Sequence, residues 1–425
     1  MLLIYSPDIT NRLDYTINLI FEGVIKTEYK LTTDRKIFED YKGQKINYSN
    51  SFIADAFNIF PFGLLSSYKI ELQPIDVFKN ELFPAFFKTQ GSDFPFDVFS
   101  AAFYLVSRYE EYLPYSKDFY GRFPHTNSLA FRENFLHLPL VNIWLQHFKK
   151  ALIKKFGNLN FKEYSFKFSP TYDIDIAWSF KNKGPVRNIG GFLRKPSVNR
   201  LKVLSGISSD PFDSYGFLKN LHFENKIQPQ YFVLAARKNN IYDKNILPYK
   251  NDFKLMVKGL DGEICLHPSW GSNEGFEVLK AEKKLLEEIC GNTIIKSRQH
   301  YIKFKLPETF LNLIKAQIKE DYSMGYGSIN GFRASIANSF YWYDLSKEEK
   351  TCLLLHPFCF MDANSFYEQR QNVKSTFAEL KHYFTVCKSV EGNLITIFHN
   401  HFLGSDPMFE GWKEMYEMFV KEMRR

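Results

Sequence analysis

From about residue 165 to the C-terminus, short apolar stretches alternate with longer segments of helical periodicity, and this alternation restricts the fold more than any other feature. Such a pattern is typical of a βα repeat. Seven or eight strands that alternate with helices favour a distorted (β/α)7–8 barrel. The predicted strands are 164–168, 230–235, 263–266, 293–296, 352–355 and 394–398, with a less regular one at 324–326, and the predicted helices between them are 275–289, 308–319 and 365–386.

The chain length of 425 residues predicts two domains, since single hydrophobic cores stop growing near ~250–300 residues. Residues 1–160 contain short alternating stretches and two helical patterns, at 97–113 and at 141–156, the second ended by Gly157 and Asn158. We therefore predict a smaller α+β accessory domain over 1–160 and the barrel over 161–425. Residues 181–215, rich in Gly, Pro, Ser and Lys, are predicted as a long insertion without an element, of the kind that often forms a lid.

The formal net charge of +8 is compatible with an anionic glycan, a nucleotide- or lipid-linked sugar, or a membrane surface as partner. Lys and Arg are scattered along the chain and form no basic block, which argues against a nucleic-acid partner. The first residues lack the pattern of a signal peptide, and no stretch approaches the ~20 apolar residues of a transmembrane helix. We expect a cytoplasmic protein without a transmembrane segment.

Asp173 and Asp175 follow the first predicted strand of the barrel and lie two residues apart. In an extended chain both carboxylates project to the same side. Two adjacent carboxylates repel each other, and a divalent metal relieves that repulsion. An Asx turn or a helix N-cap explains the same residues equally well, so the motif alone leaves both interpretations open.

Imidazole and guanidinium groups follow the later predicted strands, where a barrel places its functional side chains. An imidazole and a carboxylate together are a common ligand set for zinc and other divalent metals, and an arginine orients a nearby carboxylate. Each of these residues alone is equally compatible with a structural hydrogen bond or ion pair. Aromatic rings beside them are candidates for stacking on a sugar. The candidates are His267, Arg298, His300, Arg333, His356, His399 and His401, with Trp270 and Tyr301 as the aromatic ones.

Read in order, these segments resemble the polysaccharide deacetylase family, also called the NodB-homology or carbohydrate esterase type. The resemblance covers about residues 165–425. It rests on Thr-Tyr-Asp-Ile-Asp at 171–175, Gly-Glu-Ile-Cys-Leu-His at 262–267, Ser-Arg-Gln-His-Tyr at 297–301 and Leu-Ile-Thr-Ile-Phe-His at 394–399. The run Phe-Tyr-Leu-Val-Ser-Arg-Tyr-Glu-Glu-Tyr at 103–112 suggests a bacterial branch with its own N-terminal domain.

The resemblance assigns a role to each matching residue. It implies that Asp173 is the catalytic base and that Arg298 braces it. Asp175 and His267 are then metal ligands, and His399 is the general acid.

The chain departs from the family at one metal ligand, because the family usually has a second histidine four residues after the first, where this chain has Gly271. His300 is the proposed replacement, which makes Asp175, His267 and His300 the implied ligand set. A divalent metal is the implied cofactor, with zinc expected first and cobalt or nickel as alternatives.

The activity that the resemblance implies is removal of an acetyl group from an amino sugar or an acetylated glycan, including a nucleotide- or lipid-linked precursor. Trp270, Tyr301, Arg333 and His401 are the expected substrate-binding residues. Two alternatives remain open, a non-catalytic glycan-binding protein of the same fold and a metal-dependent amidase acting on a non-sugar amide.

Overall fold

The computed structural model describes residues 1–80, 83–157, 159, 161, 165–194 and 196–423. Asn158, Asn160 and Tyr164, where a helix end, the domain boundary and a strand start were predicted, lie outside the described residues. No helix of the described residues is long and apolar enough to cross a membrane.

The first part of the chain forms a four-stranded parallel sheet with strand order β2-β1-β3-β4. Parallel strands need crossover connections, and helices α1 and α2 provide two of them. The expected α+β arrangement is therefore wrong for this sheet. The elements are β1 (Leu2–Tyr5), α1 (Asn11–Asn18), β2 (Tyr29–Thr32), α2 (Arg35–Asp40), β3 (Lys45–Tyr48), β4 (Phe57–Ile59), β5 (Phe78–Asn80), β6 (Phe83–Ala85), α3 (Val98–Val106), α4 (Leu129–Arg132) and α5 (Leu140–Phe156).

The second part forms a nine-stranded sheet with strand order β12-β13-β11-β10-β9-β8-β7-β15-β14. Its first elements are β7 (Lys167–Ile174), α6 (Pro185–Arg194), α7 (Val198–Leu204), α8 (Tyr215–Asn225), β8 (Gln230–Leu234), α9 (Asn251–Gly259), β9 (Glu263–His267) and α10 (Phe276–Cys290). The remaining elements are β10 (Lys296–Ser297), α11 (Glu308–Lys315), β11 (Glu320–Asp321), β12 (Phe340–Asp344), β13 (Glu349–Leu355), β14 (Phe360–Met361), α12 (Val373–Ser389), β15 (Asn393–His399) and α13 (Trp412–Glu422).

The mixed α/β architecture is as predicted, but the strands do not close into a barrel within the described ranges. β12 and β14 both lie at edges of the sheet. β12 folds back antiparallel onto β13, and β14 is only two residues long, so neither offers the long parallel edge that closure needs. The site lies instead at the carboxyl end of an open sheet, where Asp173 on β7 pairs in register with His399 on β15 and Phe232 on β8.

Several predicted elements differ from the structure. Helix α3 ends at Val106, because Arg108 adopts a left-handed backbone with φ of 55° and a 3-10 turn follows at Tyr109–Tyr112. The strand expected at 324–326 is instead the short β11 that precedes it. Residues 181–215 are not a bare insertion, because they contain α6 and α7.

A buried ion-pair network links the two parts of the chain. Glu111 accepts two hydrogen bonds from the Arg333 guanidinium, at 2.8 and 2.6 Å, and a third from Nε of Arg108 at 2.7 Å. All three side chains are nearly inaccessible to solvent. Burial alone would raise the pKa of Glu111, and the two guanidinium groups instead lower it. Glu111 is therefore a buried carboxylate shared by two buried cations, and Arg108 also pairs with Glu110 at 2.9 Å.

The first prediction concerns this network. Glu111→Gln leaves two buried guanidinium groups without their shared anion, and breaking such a pair costs about 3–5 kcal/mol. We expect the free energy of unfolding, measured by urea denaturation, to fall by about this amount. The matched control is Glu39→Gln, which removes the exposed pair with Arg35 and should change stability by less than about 0.5 kcal/mol. Equal effects of the two substitutions would contradict the structural role of Glu111.

Candidate metal centre

β7 delivers three polar side chains to one face at its carboxyl end. Thr171, Asp173 and Asp175 lie two residues apart, whereas Tyr172 points to the other face. The Tyr172 hydroxyl is 2.6 Å from that of Tyr416 and 2.8 Å from Nε2 of His222. These buried hydrogen bonds fix which face of β7 meets the helices, and a one-residue slip would exchange the two faces. The register of β7 therefore determines that both carboxylates reach the same site.

Three imidazole groups converge on the carboxylate of Asp175. Nε2 of His267 lies 3.1 Å from Oδ1, and Nε2 of His300 and of His399 each lie 3.4 Å from Oδ2. Burial alone would raise the pKa of Asp175, but the facing imidazoles hold it well below its usual value. The coordinating atoms of Asp175, His267 and His300 all lie within 4.8 Å of one another.

The outer nitrogen of each imidazole already has an acceptor. His267 Nδ1 lies 2.5 Å from the carbonyl oxygen of Arg298, and His300 Nδ1 lies 2.9 Å from Oδ1 of Asp243. Because a carbonyl or a carboxylate only accepts, Nδ1 carries the hydrogen in both rings. In the neutral imidazole Nε2 then presents a lone pair, and it faces the lone pairs of Asp175.

These facing lone pairs are suited to a shared cation. Oδ1 of Asp175 is buried and receives no hydrogen bond in the described structure. Ligands at about 2.1 Å from a tetrahedral zinc ion lie roughly 3.4 Å apart, close to the separations seen here. Hydrogen bonds to the outer imidazole nitrogens are the usual support for metal-binding histidines. The residues present therefore fit a divalent metal held by Asp175, His267 and His300.

Asp173 is held apart from this cluster by Arg298. Nη1 of Arg298 donates to Oδ1 of Asp173 at 2.6 Å, Nη2 donates to Oγ1 of Thr171 at 2.7 Å, and Nε donates to the Tyr322 carbonyl oxygen at 3.1 Å. The guanidinium is inaccessible to solvent and lies 4.0 Å from the Phe232 ring centroid. One oxygen of Asp173 is thus occupied, while Oδ2 lies 3.7 Å from His267 Nε2 and accepts no hydrogen bond from the described residues.

His399 is positioned by a second buried carboxylate, that of Asp362. Nδ1 of His399 lies 2.6 Å from Oδ1 of Asp362, and the backbone N–H of His399 donates to Oδ2 at 2.6 Å. Burial alone would lower the pKa of His399, but Asp362 and Asp175 raise it well above its usual value. A protonated His399 thus presents an Nε2–H group to the site. Similarly, Asp175 and Asp243 overcome burial and raise the pKa of His300 to about 9.

A cavity of about 380 Å³ opens over these groups. Of the residues predicted from sequence, it is lined by Asp173, Asp175, His267, His300, Tyr301, His399 and His401.

The structure places three other predicted residues away from the cavity wall. Trp270 stacks on Tyr242, with ring centroids 3.7 Å apart, and Lys303 Nζ lies 3.4 Å from its ring, so its faces are occupied. Arg333 is buried in the ion pair with Glu111. His356 stacks on Tyr322, with its Nε2 2.9 Å from Glu320. A place directly after a strand predicts where a residue lies along the sheet, but it does not predict the direction of its side chain.

Sequence reasoning missed the partners of the imidazoles and one wall of the cavity. Asp362 follows the continuous apolar run Phe-Cys-Phe-Met, a pattern from which a short buried strand is predictable. Asp243 lies in an irregular loop and carries no signal of its own. Tyr120 and Arg122 come from the first part of the chain and line the cavity beside Tyr301, whose carbonyl oxygen accepts a hydrogen bond of 2.6 Å from Nη1 of Arg122.

Gly271 occupies the position where the resemblance led us to expect a histidine. It lies in the 3-10 turn Trp270–Asn273, and a Cβ there would meet nothing closer than Oγ of Ser269 at 3.8 Å. Packing therefore does not require glycine at this position.

Comparison with known proteins gives matches of two kinds. A family model described as a family of unknown function (DUF7033) matches residues 2–157. No curated protein matches the chain. Similar solved structures include a protein described as a polysaccharide deacetylase from Mycobacterium smegmatis, with 12% identity and a TM-score of 0.40 over 61% of this chain and 84% of that chain.

Two further solved structures have comparable similarity. Puue allantoinase is 12% identical, with a TM-score of 0.39 over 61% of this chain and 85% of that chain. The polysaccharide deacetylase Bc1974 from Bacillus cereus is 11% identical, with a TM-score of 0.31 over 61% of this chain and 88% of that chain.

The second prediction tests the ligand set. His300→Ala removes one of three donors, so we expect bound metal, measured by elemental analysis after dialysis against a metal buffer, to be lost. Asp243→Asn keeps the imidazole but weakens the group that orients it, and it should lower metal affinity by roughly 10–100-fold. His401→Ala is the matched control, since His401 lines the cavity outside the ligand set, and it should retain the metal. Full metal content in His300→Ala would exclude His300 as a ligand.

Proposed function

We propose that this protein is a metal-dependent hydrolase that removes an acetyl group from an amino sugar or an acetylated glycan. One observation carries the proposal. Two carboxylates on one strand have opposite surroundings, because Asp175 faces three imidazoles whereas Asp173 is braced by an arginine and keeps one oxygen free. Such a separation of environments is typical of a ligand and a base that work side by side.

A divalent metal supplies two effects when bound, since it lowers the pKa of water and polarises a carbonyl group. One carboxylate and two imidazoles are a donor set that suits zinc, and it leaves room for further ligands. Asp175, His267 and His300 would hold the ion. The expected preference for zinc over cobalt or nickel remains part of the proposal.

Asp173 acts as the general base. Asp173 lines the cavity, and Arg298 fixes its carboxylate through Oδ1. Asp173 takes a proton from the attacking water as the water oxygen bonds to the acetyl carbon. Thr171 contributes indirectly, because its hydroxyl holds the second terminal nitrogen of Arg298.

His399 acts as the general acid. Asp362 fixes its ring through Nδ1, so that Nε2 is directed to the site. As the carbon–nitrogen or carbon–oxygen bond breaks, His399 gives its proton to the departing amine or alkoxide. One water is consumed, and the products are acetic acid and the deacetylated sugar. The two proton transfers then leave Asp173 protonated and His399 neutral, and solvent restores both.

The cavity supports a sugar-sized substrate. Its volume of about 380 Å³ lies at the lower end of the range for small-molecule sites. Tyr120, Tyr301 and Tyr367 line it, and rings of this kind present an apolar face with a polar edge to a pyranose. The resemblance of the strand-end motifs to the polysaccharide deacetylase family favours an acetylated sugar over a small linear or cyclic amide.

The third prediction tests the base. Asp173→Asn preserves the shape of the side chain but cannot take a proton, so acetate release from acetylated amino sugars should fall by roughly 10²–10⁴-fold with metal content unchanged. Asp252→Asn, on the exposed face of α9, is the matched control and should keep full activity. Retained acetate release in Asp173→Asn would rule out this assignment. Hydrolysis of small amides in preference to acetylated sugars by the unaltered protein would exclude the sugar substrate.

The fourth prediction tests the acid. His399→Ala removes the proton donor, so hydrolysis of an N-acetyl sugar, whose amine must be protonated to leave, should fall by roughly 10²–10⁴-fold. An aryl acetate has a leaving group that departs without a proton, and its hydrolysis should fall by less than about tenfold. Equal losses on the two substrates would show that His399 does not act as the acid.

A further inference from the structure

A helical arm, defined here as residues 181–207, begins and ends near the cavity. The arm is closed at its base by one carboxylate, because the backbone N–H groups of Ser179, Phe180 and Lys181 donate to Asp210 at 2.7, 2.8 and 2.9 Å. Asp210 itself is buried. The chain enters the arm shortly after Asp175 and leaves it shortly before Phe212, whose ring centroid is 5.2 Å from that of His401 in the cavity wall. The arm therefore stands at the edge of the candidate site.

Polar contacts hold the two helices of the arm together. Nη1 of Arg200 on α7 donates to the carbonyl oxygen of Asn188 on α6 at 2.9 Å. The same guanidinium lies 4.9 Å from the Phe180 ring centroid, and Nδ2 of Asn188 donates to the Phe180 carbonyl oxygen at 3.0 Å. The helices are thus fixed to each other and to the base without burying an apolar stripe.

The apolar side chains of the arm are turned to solvent. A surface helix usually buries its apolar stripe, with residues at i, i+3 and i+7 against the core. In α6 the stripe has this spacing, yet none of its residues is buried. In α7 only Val203 is buried. The exposed side chains and their exposed fractions are Val186 83%, Ile189 60%, Leu193 77%, Val198 70%, Leu201 53%, Leu204 46% and Ile207 76%.

The charged side chains of the same segment are all positive. Between residues 176 and 209 the sequence has seven Lys or Arg residues and no Asp or Glu. Arg187 also donates to the Lys244 carbonyl oxygen at 3.3 Å, which brings a second basic loop alongside. That loop, residues 236–250, adds four cations, and its one acid, Asp243, is buried against His300. In these two segments the exposed apolar side chains therefore lie among Lys and Arg residues and no exposed acid.

We propose that the helical arm docks on the surface of an anionic lipid membrane. Helices that lie in a membrane interface combine exposed aliphatic side chains with Lys and Arg, which pair with anionic headgroups. Protein interfaces are anchored mainly by Trp, Tyr and Arg. The exposed apolar side chains of the arm are instead Val, Ile and Leu, and both Phe192 and Phe180 at its base are half-buried. Docking through the arm would bring the cavity next to the membrane surface.

The fifth prediction tests this docking by sedimentation of the full-length protein with vesicles. Vesicles of phosphatidylcholine with about 30% phosphatidylglycerol should pellet the protein, and vesicles of pure phosphatidylcholine should pellet at least about fivefold less. Val186→Ser/Ile189→Ser/Leu193→Ser should lower the bound fraction at least about fivefold, because the apolar contact is lost. Arg194→Glu/Lys202→Glu should do the same, because both side chains are exposed cations of the arm.

Two control substitutions make the same kinds of change at exposed positions outside the arm. Phe223→Ser removes a side chain that is 86% exposed on α8, and Lys280→Glu reverses an exposed charge on α10, and both should bind vesicles as the unaltered protein does. Circular dichroism of each variant checks the fold. Equal binding to neutral and anionic vesicles, or none to either, would overturn the proposal. Concentration-dependent self-association that the triple Ser variant abolishes would replace the membrane by a second copy of the chain. Vesicle binding needs no catalysis, so the result is independent of the proposed hydrolase activity.

Discussion

The site depends on one arrangement, in which the carboxylate of Asp175 faces the Nε2 atoms of three imidazoles. His267 and His300 are held in this orientation because their outer nitrogens donate to the Arg298 carbonyl oxygen and to Asp243. Acceptors that face each other at 3.1 to 3.4 Å need a proton or a metal ion between them. The neighbouring strands produce this geometry. β7 and the residue after it supply the two carboxylates, and the ends of the neighbouring strands bring the imidazole nitrogens to them.

Period-two alternation and the position of residues after strand ends predicted which side chains converge around Asp175, but not their roles. Alternation along β7 places Asp173 and Asp175 on one side, and β9 and β15 end at His267 and His399. The fold class was predictable for the same reason, because βα alternation is local in sequence. Closure of the sheet was not predictable, since it depends on how the two edge strands β12 and β14 pair with distant strands.

Contacts between distant residues could not be predicted from the sequence. Asp243 and Asp362 orient His300 and His399 from loops and from a strand end, and neither lies close to its histidine along the chain. Composition is also misleading at 181–215, where Gly, Pro and Ser predict an insertion without elements although the apolar spacing of α6 is helical. Tyr120 and Arg122 reach the cavity from the first part of the chain, to which the sequence assigned no role in the site.

A purely structural role for the cluster is hard to reconcile with its energetics. Each buried ion costs several kcal/mol after relaxation, and apolar residues of similar size usually pack at least as stably. Asp362 illustrates the cost, because burial raises its pKa even though it contacts His399 directly. The Glu111 network is different, since it holds two parts of the chain together and, with Glu110, pairs its two guanidinium groups with two carboxylates. At Asp175 one buried oxygen accepts no hydrogen bond from the described residues. In a purely structural ion pair this oxygen would be expected to accept a hydrogen bond, since buried polar atoms are usually paired. The arrangement therefore supports the proposed metal site over a purely structural ion pair.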